Sequence, residues 1–485
     1  MANGITQFCC RSGGSNLNAG TLRGDSTEPG TSASFTYASG DWDAGTGVFT
    51  VASGDPSSDG VAVGDYVSVY ADGSTVTGFV GQVSAVSSTD ITVDLTDHYA
   101  GTAPSTDSGN RTLKVGGAWQ GPNGAEGFPF DFVTATMCDG SDPIVRVNVK
   151  NDQTYSITST ITLSSLLEYC VFQGYQTTYA DKNQALIQGP ASGTSFVLFN
   201  LPHNTKSGNG LIDLHFDRNG DAAGANWGVL WGSGNSRNKV IRCRFSNMYT
   251  AGANFYRTEA IIQDCEFDNN GTYGAWHTNN GVYFYLNCRF HNNGSHGLYM
   301  TGGQNRYARA FGCIFANNGS YGASTAADSG SHYLNCIFYG NTHSGLYLSA
   351  SQGSIVQNCA FIDNGAYGIY FTTTNQDYSF VQVYNCAFGS GTMANNSGNI
   401  RNGTGTSYDE VGTITEESDF DPYVSAATGD FTLKAGSRLA RGGFNFTQPN
   451  TSFDGTVSNF PIGASGPPAP AGSGASTPHP LRSTR

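Results

Sequence analysis

One pattern restricts the folds open to this chain more than any other. Cys243, Cys265, Cys288, Cys313, Cys336, Cys359 and Cys386 succeed one another at steps of 22, 23, 25, 23, 23 and 27 residues. Each is followed two positions later by a phenylalanine: Phe245, Phe267, Phe290, Phe315, Phe338, Phe361 and Phe388. A self-similar period in this range is the mark of a solenoid, whose repeats stack because none can bury its apolar face alone.

The residues inside each repeat say which solenoid. Asn270, Asn293, Asn318, Asn341 and Asn364 stand three residues after the Phe. Gly252, Gly274, Gly297, Gly322, Gly345 and Gly368 stand seven after it, each followed by a small or apolar residue. Cys-x-Phe has a period of two, which is a strand with both side chains on one face. Asn-Gly and the later Gly read as turns. The Leu spacing of a leucine-rich horseshoe and the 3.6-residue period of helical repeats are both missing. Three short strands and three turns fit in about 23 residues, which is one coil of a parallel β-helix. Leu214-His215-Phe216 and Cys170-Val171-Phe172 extend the pattern upstream. Ten to thirteen coils are expected between about 130 and 440, a rod of about 50–60 Å at ~4.8 Å per coil.

The run Cys288-Arg289-Phe290-His291-Asn292-Asn293-Gly294, followed by Gly297-Leu298-Tyr299, resembles the right-handed parallel β-helix repeat family, the architecture of pectate lyases and phage tailspikes. Asp419-Phe420-Asp421-Pro422, Gly429-Asp430-Phe431-Thr432-Leu433 and Ile462-Gly463-Ala464 are similar to the closing segment of bacterial members. The resemblance implies an all-β, right-handed parallel β-helix solenoid that ends near residue 465. A fold of this kind hosts many functions and does not choose among them.

The expected organisation has four parts. Residues 1–44 are a Gly/Ser-rich segment. Residues 45–115, with alternating stretches such as Val61–Val69 and Phe79–Val83, form a small N-terminal antiparallel β-domain that caps the solenoid or is inserted before its first coils. The β-helix with its closing segment occupies 116–465, and 466–485 is a Pro-rich flexible tail.

Stacking turns sequence positions into columns. The Cys and Phe columns face inward, the thiols acting as small reduced hydrophobes. The Asn column hydrogen-bonds from coil to coil inside a turn. His277 falls at an inward position with Trp231, Phe255, Met300, Thr325, Leu348 and Phe371, and reads as a core histidine. Between Cys and Phe the outward residue runs Arg244, Glu266, Arg289, then Ile314, Ile337, Ala360 and Ala387. The last four form an apolar stripe, covered either by the C-terminal segment or by another subunit; a homotrimer through it is one expectation. Nine residues after the Phe comes an aromatic column, Trp276, Tyr299, Tyr347 and Tyr370, interrupted by Ser324. A second column six after the Phe holds Tyr273, His296, Tyr321, Ser344 and Tyr367. Flat rings along a ladder suit sugar faces, and stacked rings also hold coils together.

One coil carries an insertion, Asp217-Arg218-Asn219-Gly220-Asp221 through Asn226-Trp227. Asp217 and Asp221 are the catalytic candidates there; with Asp213 they could supply an acid and a base, or oxygen ligands for a hard cation, and Trp227 joins the carbohydrate-binding candidates. Glu259, Asp264, Glu266 and Asp268 are expected next to Asp213 and Asp217, one coil away. The pieces required by pectate lyase-like and polygalacturonase-like sites are incomplete: Ser295-His296-Gly297 lacks the first Gly of Gly-His-Gly, and no Asp-Asp pair occurs. No zinc, phosphate-loop or serine-nucleophile motif appears, so neither a metal nor a cofactor is expected.

Charge narrows the partners. With 23 Lys+Arg against 37 Asp+Glu the net charge is −14, so binding to a nucleic-acid backbone would lack its driving force. No apolar run reaches the ~18 residues of a membrane span, and no signal peptide is visible at the N-terminus. The expectation is a virion-associated or otherwise exported structural or adhesive protein of tailspike, fibre or decoration type, contacting glycans or a neighbouring shell component. The alternative is a polysaccharide lyase or glycoside hydrolase working along the loop-bearing edge.

Overall fold

The computed structural model describes residues 6–11, 19, 32–72, 79–96, 100–101, 103–116, 145–157, 160–163, 169–178, 181–189, 197–201, 208–218, 227–232, 237–256, 259–279, 281–301, 306–326, 330–349, 353–372, 381–390 and 394–401, and the short segments 409–411, 414–415, 423–425 and 430–433. Three parallel sheets of 12, 11 and 10 strands run side by side. Successive strands of the chain go to different sheets, so that every strand pairs with the one a full coil earlier. This is the parallel β-helix that the repeat spacing predicts, and eleven steps of ~4.8 Å make its first sheet about 53 Å long.

One coil shows the grammar. Glu259–Gln263 lies in the first sheet, Glu266–Asp268 in the second and Tyr273–His277 in the third. Asp264 turns the chain between first and second sheets with φ 53°, and Asn269 does so between second and third with φ 54°. Asn and Asp adopt this left-handed region more readily than other residues with a Cβ. The residue before a repeat Cys is accordingly Asp264, Asn287, Asn335, Asn358 or Asn385, with Gly312 in one slot and Arg242, at φ 50°, in the first. The Cys sits in the first turn rather than in the strand, and the side chains of both Cys and Phe point inward.

The core is a set of ladders. Phe245, Phe267, Phe290, Phe315, Phe338 and Phe361 stack face to face, with neighbouring centroids 4.7–4.9 Å apart and planes within 12° of parallel. The seven repeat thiols are free and fully buried. Each donates weakly to carbonyls, Cys265 Sγ to Gln263 O at 3.2 Å and to Val240 O at 3.4 Å. Burial pushes the Cys288 thiol up, which keeps it neutral. Trp231, Phe255, His277, Met300, Thr325, Leu348 and Phe371 are all at most 1% exposed, as their column position requires. His277 donates to or accepts from the Tyr285 hydroxyl through Nε2 and packs between Phe255 and Tyr283, so it is a core side chain.

The glycine seven residues after the Phe does not mark a turn. Gly274 lies inside the strand Tyr273–His277, without a positive φ. A Cβ there would stand 2.5 Å from Gly297 O and 3.1 Å from Phe267 Cβ, and at Gly297 it would stand 2.6 Å from Gly322 O. Glycine is used because the backbone of the next coil approaches too closely for any side chain.

The Asn column is a continuous hydrogen-bonded ladder. Asn270, Asn293, Asn318 and Asn341 each donate from Nδ2 to the Oδ1 of the next Asn at 2.9 Å, and Asn364 does so to Asn395 at 2.8 Å. Each Oδ1 from Asn293 on also accepts the backbone N–H of the Asn before it. Each Nδ2 also donates to the carbonyl of the Phe one coil earlier, Phe245 for Asn270 and Phe290 for Asn318. In this way a turn with no room for water satisfies its polar groups.

The N-terminal region departs from the expected boundaries in two ways. Thr6–Cys10, within the Gly/Ser-rich segment 1–44, pairs in parallel with Val145–Lys150 as the first strand of the solenoid. The antiparallel domain begins at Phe35 rather than 45, since Phe35–Asp43 pairs with both Val48–Thr50 and Asp107–Val115. Tyr66–Ala71 closes the sheet by pairing with Asp107–Val115 on one side and Phe79–Val86 on the other, giving a small six-stranded barrel inserted after the first rung. Tyr66 and Val80 of the barrel join the solenoid core with Phe8, Val145 and Val147, and the rings of Phe8 and Tyr66 meet edge to face at 5.0 Å. The barrel thereby covers the apolar end that an open β-helix would expose. The Pro-rich tail and the end of the closing segment near 465 lie outside the described residues.

The apolar stripe is not a free surface. Ile314, Ile337, Ala360 and Ala387 are 0–1% exposed in a single chain. Of the two covers the sequence allows, the chain itself is the one present. A homotrimer through these four side chains has no accessible surface to use.

Candidate functional site: an aromatic stripe beside a buried ion network

The outward face of the third sheet is built from one strand per coil. Its central column pairs Thr162, Asn200, Leu230, Asn254, Trp276, Tyr299, Ser324, Tyr347, Tyr370 and Arg401 in order. The second aromatic column lies beside it, with Tyr273 opposite His296. The rings interlock between columns rather than standing apart. Tyr273 stacks on Tyr299 at 4.6 Å and Tyr321 on Tyr347 at 4.8 Å, both near parallel. His296 meets Tyr299 and Tyr321 edge-on at 4.6 and 5.2 Å. Tyr347 meets Tyr370 at 5.2 Å, and the Arg401 guanidinium lies over Tyr370 at 4.6 Å and Tyr367 at 5.6 Å.

Trp227 belongs to this face. It opens the strand Trp227–Trp231 and touches Trp276 at 6.2 Å, with its ring steeply inclined. All five carbohydrate-binding candidates (Trp227, Trp276, Tyr299, Tyr347 and Tyr370) are therefore on one sheet face, each half-buried with part of its ring accessible. Trp276 Nε1 donates to Thr301 Oγ1 at 3.1 Å, which fixes its indole. Sequence reading missed His343 and Arg401. His343 sits one residue before the column slot at Ser344, yet its ring reaches Tyr321 at 4.7 Å. The longer spacing after Tyr370 hides the place of Arg401 in the ladder.

The stripe carries little charge. Burial pushes the His296 imidazole down to about 4, and the Tyr321 hydroxyl up to about 12. Burial and the Arg401 charge also lower His343. A histidine whose folded pKa lies below the usual ~6.5 favours the folded state when neutral. Its contribution is complete above ~6.5 and disappears as pH falls toward about 4. The midpoint of urea unfolding should therefore drop between pH 7 and pH 4, and His296→Phe, which cannot protonate, should flatten part of that decline.

The catalytic candidates lie on a different face. Asp217 ends the strand Leu214–Asp217 on the outer side of the second sheet and is 8% exposed. Its Oδ2 accepts from Gln188 Nε2 at 2.8 Å. Its Oδ1 accepts from Asn247 Nδ2 at 2.7 Å and from Ser246 Oγ at 3.2 Å. Asp221 lies outside the described residues. The expected neighbourhood of carboxylates needs correcting: Asp217 pairs with Ser246, and Ser246 with Asp268, so Asp217 and Asp268 are two coils apart. Arg242 likewise lies on the coil between Asp213 and Asp264, and it clamps the buried Asp213 at 2.6 and 2.8 Å.

Arg244 sits between the two carboxylates and commits to Asp268. Its Nε and Nη2 reach the two Asp268 oxygens at 2.9 and 2.7 Å, while Glu266 is 3.5 Å away. Glu266 bonds His291 Nε2 at 2.8 Å, and that partner lowers the Glu266 pKa. Burial and the Arg244 charge lower that of His215, which bonds Ser246 Oγ at 2.8 Å. The oxygens of Asp217 and Asp268 are thus held by neighbouring side chains in a network that neutralises charge along the ladder. Among the described residues no group of three His, Cys, Asp or Glu side chains is placed to hold a metal ion. No described helix is long and apolar enough to cross a membrane.

Comparison with known proteins agrees with this geometry at the level of fold. Solved structures with a similar fold include the A-module of a mannuronan C-5 epimerase from Azotobacter vinelandii, with 14% identity, 56% of this chain and 88% of that one covered, and a TM-score of 0.41. They also include the product of open reading frame 18 of Geobacillus virus E2 (13% identity, 57% and 55% covered, TM-score 0.36) and tailspike protein 3 of bacteriophage CBA120 (11% identity, 55% and 47% covered, TM-score 0.33). No curated protein sequence matches. The model of the right-handed beta helix region matches residues 144–309 and 260–420, together more than half of the chain. With parallel three-sheet coils over those residues, the chain belongs to the right-handed β-helix family.

Proposed function

We propose that this chain is a structural and adhesive β-helix protein, of the kind carried on a virion or exported to a cell surface, and that it contacts glycans through the third-sheet stripe. The observation that supports this reading is the continuity of partly accessible rings from Trp227 to Tyr370 on one face. Rings stacked on one another are held in place before any ligand arrives, so binding would cost little side-chain entropy. The alternative occupant of the same face is a neighbouring tail or shell component.

A glycan array followed by a reducing-end assay tests the proposal. Binding without release of new ends is expected, and Trp276→Ala should weaken it by about tenfold or more, the usual cost of removing a central aromatic anchor. Release of new ends that stops in Asp217→Ala or Asp221→Ala would replace this reading with that of a polysaccharide lyase or hydrolase.

A further inference from the structure

We propose that the stripe takes an uncharged, linear glycan lying along the solenoid axis, and not an acidic polymer. This deepens the glycan reading above and depends on it. The argument is one of chemistry by position. None of the ten residues in the central column is Asp, Glu or Lys. The neighbouring column contributes tyrosines and histidines held neutral by burial. The other polar side chains beside the rings are hydroxyl and amide: Thr301, half-buried, and Asn254 and Ser324, 4% and 2% exposed. None of these groups offers a counter-charge to an anion.

An acidic polysaccharide repeats its negative charge along its length and needs cations at matching intervals. The column supplies one, Arg401, at one end, and its guanidinium is already stacked over Tyr370 and Tyr367. The net charge of −14 adds a general repulsion toward polyanions. Two other cations of the solenoid, Arg244 and Arg242, lie on other faces and are paired to Asp268 and Asp213. The orientation follows from the ladder: seven steps of ~4.8 Å from the Trp227 strand to the Arg401 strand give a track of about 34 Å parallel to the axis. Ring faces and edges line that track at each coil except those of Asn254 and Arg401.

The test is calorimetric titration of the full chain with length series of neutral hexose oligomers, neutral N-acetylhexosamine oligomers and uronate oligomers, each at low and high salt. A neutral series should bind, gain affinity with length until the track is spanned, and show no salt dependence, since no ion pair is formed. Tyr347→Ser, a residue the column already accepts at Ser324, should weaken that binding by about tenfold. Arg401→Gln, which removes the column's one cation, should leave the neutral series preferred over the uronates and its binding still independent of salt. Preferential binding of uronates, falling with salt and lost in Arg401→Gln, would overturn the inference and leave the glycan reading standing. Binding by none of the three series would overturn both.

Discussion

An Asn318→Leu chain is expected to lose about 2–6 kcal/mol of stability, although the side chains are similar in size and the site is fully buried. The reason is the number of groups the amide serves. Asn318 Oδ1 accepts from both the backbone N–H and the Nδ2 of Asn293, at 3.2 and 2.9 Å. Its Nδ2 donates to Phe290 O at 3.1 Å and Asn341 Oδ1 at 2.9 Å. Leucine would take this partner from Asn293 N–H and Phe290 O, at ~1–3 kcal/mol each for a buried unsatisfied group, while Asn293 Nδ2 keeps Phe267 O and Asn341 Oδ1 keeps the backbone N–H of residue 318. Asn270→Leu should cost less. It stands at the start of the ladder, where Met248 precedes it and offers a backbone N–H but no side-chain amide. Because each coil of a solenoid contacts only its neighbours, a break at Asn318 falls in the middle of the rod. Urea unfolding followed by tryptophan fluorescence and by far-UV circular dichroism should then report separate midpoints, because all five tryptophans precede residue 277. Coincident midpoints with a loss under about 1 kcal/mol would show that the ladder does not hold the coils together.

The ladder also shows why so much of the fold could be read from sequence. A stacked coil forces equivalent residues into register, so any position with a strict requirement repeats at the coil period. The Phe stack, the buried thiols and the Asn amides each have such a requirement, and each appears as a column in the sequence. Requirements that two residue types can meet are harder to see. The left-handed turn before the repeat Cys is filled by residues as different as Arg242, Asp264, Asn287 and Gly312, and these look unrelated until φ is known. The glycine inside the third-sheet strand misleads in the opposite way. It repeats faithfully, but the cause is a carbonyl 2.5–2.8 Å from an added Cβ and not a change of chain direction.

The candidate site was legible along the coils and illegible across them. Trp276, Tyr299, Tyr347 and Tyr370 share one column, and one period finds them. The contacts of His296 with Tyr321 and of Tyr273 with Tyr299 join two columns diagonally, and spacing alone does not reveal which rings interlock. Trp227 was assigned to an acidic loop because an insertion precedes it, whereas the strand that follows carries it to the aromatic face. Asp217 and Asp268, expected on adjacent coils, have a whole coil containing Arg244 and Ser246 between them.

That intervening coil leads to the second large effect. Arg244→Met is expected to destabilise the chain by about 3–5 kcal/mol, the cost of stranding a buried charge. The Asp268 side chain is 0% exposed, and both its oxygens are bridged by the Arg244 fork at 2.9 and 2.7 Å. After the substitution one neighbouring donor remains among these bonds, Asn269 Nδ2 at 2.6 Å, which cannot neutralise the carboxylate. A change made only to the exposed end of a surface ion pair would cost far less, typically under ~1 kcal/mol. Burial of the acidic partner is what separates the two cases. The double variant Arg244→Met/Asp268→Asn removes the charge together with its partner and should recover most of the loss, because the uncompensated ion, not the missing attraction, carries the penalty. A double variant no more stable than Arg244→Met would mean that Arg244 acts by packing its stem over the sheet instead. Because the network lies on the second sheet and the rings on the third, neither variant should alter glycan binding per folded molecule.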